Sequence, residues 1–350
     1  MPLRSLLLFA LLAATAHAAE PAAPSAPAAN SAYVDDQGRT HVTRIVPAPQ
    51  TVSPEAREKL LHPPASILAS GASVAEQRAR MDARQATDAA AWLQAYPVEV
   101  TESKIAGIPV RLFTPAGPVD GSRILVNLHG GGFRVDSGSL LESIPLANLT
   151  HARVVSVLYR MAPEHPFPAA VDDVVAVYRE LLKDHAPAKI ALFGSSAGAI
   201  LTAETTVRLK QRGLPLPGAL GIFSCFGDFT NPGDSMSLFS LQGLTGSVMT
   251  HGKEPMLPEY VGGTSPTDPM LSPSYADLHG LPPTLFVTST RDSLLSGTVL
   301  LHQSFLRAGV DARLLVYEAQ PHTFWLDVHL PEARAAVADM ADFFNKQLAR

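Results

Sequence analysis

The pentapeptide Gly194-Ser195-Ser196-Ala197-Gly198 follows the apolar run 189–193 and precedes a stretch with helical patterning. Glycines at both ends of G-x-S-x-G let a strand turn sharply into a helix while the central residue is held exposed at the bend. This frame centres on Ser196. For Ser195 to be central, position 193 would have to be glycine, and it is Phe193. A serine becomes a nucleophile only when a base takes its proton, and the base needs an acid to fix its tautomer. On a strand-alternating chain the expected order is Ser, acid, His, with the last two on loops after late strands. The strand read over 284–289 ends in Thr290-Arg291-Asp292, and the one over 314–317 leads through Glu318-Ala319-Gln320-Pro321 to His322. Asp292 and His322 fit both order and position. Asp228, just past another strand, and Asp327 compete for the acid, and His302 and His329 for the base. Of these, His302 falls inside a helical pattern and His329 one turn before the last helix.

An attacking alkoxide places negative charge on a carbonyl oxygen, and backbone N–H groups fixed in advance hold that charge without competing for the nucleophile. His129-Gly130-Gly131-Gly132, directly after the apolar run 124–128, can supply them. Consecutive glycines let the backbone approach a ligand, and Ala197, opening a helix, offers a further N–H. His129 itself could be proposed as a base, but its place on this loop suits it better to anchoring the loop by hydrogen bonds.

These residues need a scaffold that brings several loops to one edge. From about residue 105 the chain alternates β-rich runs (110–113, 124–128, 154–158, 190–193, 219–226, 284–289, 312–317) with helical patterns (168–183, 197–212, 297–308, 331–348). The alternation argues for an α/β sheet. Within 169–183, Val171, Val174, Tyr178 and Leu181 recur at helical spacing and can pack on that sheet. Two segments interrupt the alternation: about 20–97, with helical patches in "SPEAREKLL" and "VAEQRARMDARQATDAAAWLQAY", and about 231–280, rich in Pro, Gly, Ser and Met. Such interruptions commonly cap the carboxyl edge of the sheet, where ligands bind.

The chain has 350 residues, 46% hydrophobic and 17% charged, with formal net charge −5, enough to bury a large core. No stripe of Lys and Arg could neutralise a phosphate backbone, so nucleic acid is not an expected partner. A basic start followed by the short apolar run "SLLLFALLAA" and Ala16-His17-Ala18 reads as a secretory signal peptide over 1–18, and the Pro/Ala stretch behind it as a linker. The expected location is therefore periplasmic or secreted, without a stable membrane anchor. Cys225 is the only cysteine, so neither an internal disulfide nor a thiolate metal site can form; its apolar surroundings suit a buried small hydrophobe.

With these residues placed, the chain from about 98 to 344 resembles the hormone-sensitive-lipase-like family of α/β-hydrolases, esterases with an H-G-G-G loop. The matching motifs are "HGGGF" at 129–133, "YRMAPEHPFPAA" at 159–170, "GSSAG" at 194–198, "DPMLSP" at 268–273, "GLPPTLFVTSTRDSLLS" at 280–296 and "HTF" at 322–324. The resemblance implies an α/β-hydrolase fold, a mostly parallel central sheet flanked by helices, with a helical cap. It divides the chain into the leader 1–18, a linker with N-terminal cap helices 19–97, and a catalytic domain 98–350 with a cap-contributing insertion at 231–280. It implies a triad of Ser196, Asp292 and His322, oxyanion donors at Gly131, Gly132 and Ala197, and support from His129, Gly130 and Glu164. The expected activity is hydrolysis of short- to medium-chain acyl esters through an acyl-enzyme, with no cofactor and no metal. A lactonase, amidase or carbohydrate deacetylase would use the same atoms, and a noncatalytic small-molecule receptor on this fold is the remaining reading. The family often forms homodimers through its last strand and helix; 312–317 and 331–348 would read the same in a monomer. Four positions depart from the family pattern: Ser195 stands where relatives usually carry Asp or Thr, Ala199 where they carry glycine, Ser296 where they carry the second acid of D-x-L-x-D, and Thr323 at the glycine of H-G-F.

Overall fold

The computed structural model describes residues 30–63, 72–249 and 254–349. The expected leader, 1–18, lies outside the described residues. The chain divides by its contacts into two units, Met1–Pro47 and Ala48–Arg350. Of the first, an antiparallel hairpin is described, β1 (Ser31–Val34) and β2 (Thr40–Thr43). Asp35 closes its turn, accepting hydrogen bonds from the Gln37 and Arg39 amides at 3.0 and 2.9 Å.

The second unit begins with two helices, α1 (Pro54–Leu61) and α2 (Val74–Ala95). Each starts at a serine that accepts a backbone N–H three residues on, and Ser73 with Glu76 closes a reciprocal capping box at the start of α2. The alternating part follows: β3 (Val98–Ile105), β4 (Ile108–Pro115), β5 (Ile124–Leu128), α3 (Ser139–Thr150), β6 (Arg153–Val157), α4 (Ala169–Leu181), β7 (Ile190–Ser195), α5 (Ala197–Gln211), β8 (Ala219–Phe223), α6 (Ser235–Leu238), α7 (Pro258–Val261), β9 (Thr284–Ser289), α8 (Leu295–Arg307), β10 (Ala312–Tyr317) and α9 (Pro331–Leu348). Eight strands form one sheet in the order β10-β9-β8-β7-β5-β6-β4-β3. Pairing is parallel from β10 to β6, and β4 and β3 add antiparallel at the far edge. This is the expected α/β-hydrolase architecture.

Strand periodicity explains why both faces are covered. Along β7, Ile190 and Leu192 enter the core that holds α4, α5 and α8, while Ala191 and Phe193 enter the opposite core with α3 and α9. Helices α3, α4 and α5 are buried over most of their surface. That is why α3 escapes a reading by periodicity: its sequence SLLESIPLANLT has nine buried residues and no polar stripe. Sequence reading also missed β3 and the β1–β2 hairpin. The strand expected over 219–226 stops at Phe223, because Ser224 turns into the left-handed region with φ +53°.

The N-terminal helices are tied to the far end of the same unit. Ser53 donates from its amide and its hydroxyl to the Glu332 carboxylate at 2.6 and 2.8 Å, Lys59 pairs with Asp327, and Trp92 Nε1 donates to Leu326 O at 3.1 Å. On its other flank, Arg78 of α2 grips Glu164 through two bonds of 2.8 Å.

Candidate active site

Strand β5 has β6 on one side and β7 on the other, so the connections leaving its carboxyl end and that of β7 diverge and open a crevice. Ligands of open α/β sheets bind at such a switch point. Here the loop after β5 begins with His129 and the turn after β7 is Ser196. Ser196 has φ +56° and ψ −122°, a strained conformation for a non-glycine residue. Two glycines make this bend feasible. A Cβ on Gly194 or Gly198 would run into the Leu128 carbonyl, so the close approach of β5, β7 and α5 demands glycine at both ends of the motif.

Asp292 leaves the end of β9, and His322 lies beyond β10. His322 Nδ1 is 2.9 Å from Asp292 Oδ1, and its Nε2 is 3.0 Å from Ser196 Oγ. Asp292 is fully buried. Burial works against its charge, but His322, the Ser224 hydroxyl and the Leu294 amide together outweigh it and hold the carboxyl below its ordinary value. Thr288 Oγ1 donates to its other oxygen at 3.0 Å. The rival residues are engaged elsewhere: Asp228 accepts from the Thr230 amide and Tyr275, Asp327 pairs with Lys59, and His302 lies against Ala312 O and the Phe286 ring. His329, though it lines the same cavity as Ser196, makes no side-chain hydrogen bond among the described residues.

The glycine loop is held from beneath. His129 is buried, stacks on Tyr159 with ring centroids 4.2 Å apart, and receives the Tyr159 hydroxyl on its carbonyl at 2.6 Å. Its Nδ1 lies 2.9 Å from Gly130 O. Asp136 closes the loop by accepting from the Gly138 and Ser139 amides and from Arg111. Burial opposes the charge on Asp136, yet His129, Ser139 and Arg111 outweigh it and keep the carboxyl down at about 2. Gly131 has φ +114°, a value that suits glycine. The amides of Gly131, Gly132 and Ala197 have no protein acceptor among the described residues, and all three residues border the same cavity as Ser196.

Three polar residues surround this centre; sequence reasoning missed Ser224 and Glu142, and it singled out Ser195 without its partner. Ser224, after β8, places its hydroxyl 2.8 Å from His322 Nδ1. Ser195, beside the candidate nucleophile, accepts a 2.9 Å bond from Trp325 Nε1, which joins the turn after β7 to the segment that carries His322. Glu142 of α3 is wholly buried behind β5; Asn127 donates to one of its oxygens at 2.9 Å, and the other has no partner among the described residues. Burial pushes its carboxyl up to about 8, against the pull of Asn127. Ser296, where relatives often carry an acid, instead donates to Asp234 at 2.7 Å. Cys225 is buried, and burial followed by the nearby Asp292 raises its thiol, in keeping with a small hydrophobe of the core.

Residues 125–326 match the family described as alpha/beta hydrolase fold. An acetyl-hydrolase of Streptomyces hygroscopicus is 35% identical over 222 residues, 61% of this chain and 73% of the relative. A crystal structure of an esterase from the bacterial hormone-sensitive lipase family superposes with TM-score 0.74 at 29% identity, covering 85% of this chain and 99% of the other. A hormone-sensitive lipase from a metagenome library gives 0.71 at 32%, covering 80% and 93%. The chain belongs to the hormone-sensitive-lipase-like family of α/β-hydrolases.

In this hydrolase the turn at Ser196, the glycine loop and His322 face a cavity of about 630 Å³. Its apolar wall comes largely from the segment between β8 and β9, through Met236, Leu241, Met249, Met256 and Leu257, with Phe226 and Leu294. Helix α2 supplies the facing wall, through Gln77, Met81, Arg84 and Gln85. The lysine and the arginines that line the cavity are each paired: Lys59 with Asp327, Arg84 with Asp88 and Arg134 with Glu259. Among the described residues of this hydrolase no cluster of His, Cys, Asp and Glu could hold a metal ion, and no helix is long and apolar enough to cross a membrane.

Proposed function

We propose that this carboxylic ester hydrolase works by acyl transfer to Ser196. The observation that carries the reading is the relay Ser196, His322, Asp292, with contacts of 3.0 and 2.9 Å, beside three amides that have no protein acceptor among the described residues. Ser196 Oγ attacks the ester carbonyl while His322 Nε2 takes its proton, and the oxyanion lies on the amides of Gly131, Gly132 and Ala197. As the tetrahedral intermediate collapses, His322 returns the proton to the leaving alcohol. Water, activated by the same nitrogen, then attacks the acyl-enzyme and releases the acid, and Ser196 regains its proton. Asp292 holds Nδ1–H and balances the charge His322 carries between these steps.

The preferred substrate is an uncharged ester of short to medium acyl chain. Support comes from the apolar cavity of about 630 Å³ and from the pairing of the lysine and the arginines on its wall, so that among the described residues no Lys or Arg there is left unpaired to recruit an anionic group. The Ser196→Ala variant should lose turnover by at least about a thousandfold and should escape labelling by a serine-directed phosphonate. Full turnover in that variant would remove Ser196 from the mechanism. A panel of p-nitrophenyl esters of rising chain length, lactones, anilides and acetylated sugars then sets the substrate class. We also infer export, with residues 1–18 removed.

A further inference from the structure

Ser224 is the residue after β8, and β8 stands in the sheet between β7, which presents Ser196, and β9, which presents Asp292. Its hydroxyl is fully buried and 2.8 Å from His322 Nδ1, the nitrogen that also faces Asp292 Oδ1 at 2.9 Å. Its backbone is left-handed, φ +53°, a conformation in which glycine is at ease and serine is not. The position is pinned on both sides. The Ser224 amide donates to Val287 O at 2.7 Å, and Thr298 Oγ1 receives the Cys225 amide at 2.9 Å and donates to the Cys225 carbonyl at 3.0 Å. A strained, buried residue whose hydroxyl meets the base is one whose side chain is needed where glycine would serve the backbone better.

We propose that Ser224 is a positioning residue of the hydrolytic reaction, holding His322 in the tautomer that can accept a proton from Ser196. The argument rests on the count of protons. Asp292 as a carboxylate only accepts, so the hydrogen between it and His322 is on Nδ1, and Nε2 is free to act as base. That single Nδ1–H lies within reach of two acceptors, Asp292 Oδ1 and Ser224 Oγ. The Ser224 hydroxyl must therefore present a lone pair to Nδ1 and direct its own proton away from it, toward the Asp292 side. The opposite orientation, with the hydroxyl donating to Nδ1, would put the ring proton on Nε2 and block attack. When His322 becomes charged, it then has two acceptors in place rather than one, and its ring plane is fixed by both.

The proposal rests on the reading of Ser196 and His322 as nucleophile and base, and a paired experiment separates the two. Ser224→Gly removes the hydroxyl at a position whose backbone favours glycine, so the variant should melt no lower than the parent enzyme. Its kcat on p-nitrophenyl butyrate should fall about ten- to a hundredfold, the worth of a hydrogen bond to a charged group, with KM within about twofold of the parent. The acid limb of its kcat profile should move, and phosphonate labelling should slow in step with kcat. Ser224→Ala should show the same loss of kcat with a lower melting temperature than Ser224→Gly. A Ser224→Gly enzyme with kcat within twofold of the parent and an unmoved pH profile overturns the role of Ser224 while Ser196→Ala remains inert. Turnover retained in Ser196→Ala overturns the underlying reading instead.

Discussion

Glu142 shows how far the requirements of a reacting centre extend behind it. Its acid side chain is buried, with Asn127 donating to one oxygen at 2.9 Å, and the Ser195 hydroxyl and the Gly130 amide near enough to help only in part. A carboxylic acid tolerates that arrangement far better than a carboxylate does. The carboxyl therefore keeps its proton up to about 8 in the folded chain, against an ordinary value of 4.5. Between those two values the folded state binds more protons than the unfolded state, so this group costs stability progressively as pH rises through the interval, and its full cost is reached above about 8. Glu142→Gln carries no such titration. Its melting temperature relative to the parent should climb between pH 5 and pH 9, as followed by thermal denaturation in parallel buffers. A difference that stays constant across that range would mean that Glu142 is ionised throughout. None of this could be read from the sequence, where Glu142 is one acid among many. The same holds for Ser195: its neighbour Trp325 is 130 positions away, and only the fold brings the two to a 2.9 Å bond.

At the scale of elements, the residues that could be read ahead were those whose role depends on a short span of chain. The turn 194–198 announces itself because a bend between β7 and α5 imposes glycine at fixed spacing. Asp292 and His322 follow from being the acid and the histidine nearest the ends of β9 and β10. Ser224 was out of reach because its strand was expected to continue to residue 226; a serine inside a buried strand attracts no attention, whereas one at a left-handed strand end does. Helix α3 was out of reach because burial on all sides erases the polar face that marks a helix. The packing that imposes the glycines is testable. In Gly198→Ala the new methyl would meet the carbonyls of Leu128 and His129, which belong to β5 and to the start of the glycine loop. The variant should lose about 1–3 kcal/mol of stability, as overpacked cores do, and its kcat should fall along with it because the same backbone carries the Gly131 and Gly132 amides. Wild-type melting and turnover together would show that β5 and α5 have room to separate.

For the whole molecule, the expectation of an α/β sheet with strands feeding one reactive edge was legible in the alternation of apolar runs and amphipathic patterns. The walls of the cavity were legible only as interruptions, because nothing in "VAEQRARMDARQATDAAAWLQAY" says which sheet edge it will face. Export belongs to this scale as well. N-terminal sequencing of protein recovered outside the cytoplasm should begin at Ala19; enzyme found in the cytoplasm with Met1 still attached would reject the signal peptide. The anchoring of α1 and α2 gives that passage a further meaning. The helices that wall the cavity are made early, but Leu326, Asp327 and Glu332, to which Trp92, Lys59 and Ser53 bind, are made near the end. A chain emerging from a ribosome or a translocon with its N-terminus leading therefore cannot finish its substrate chamber until its last helix has arrived. If the proposed export threads the chain N-terminus first, the chamber closes only after residues 326–332 have crossed, because these anchors of α1 and α2 are absent before then.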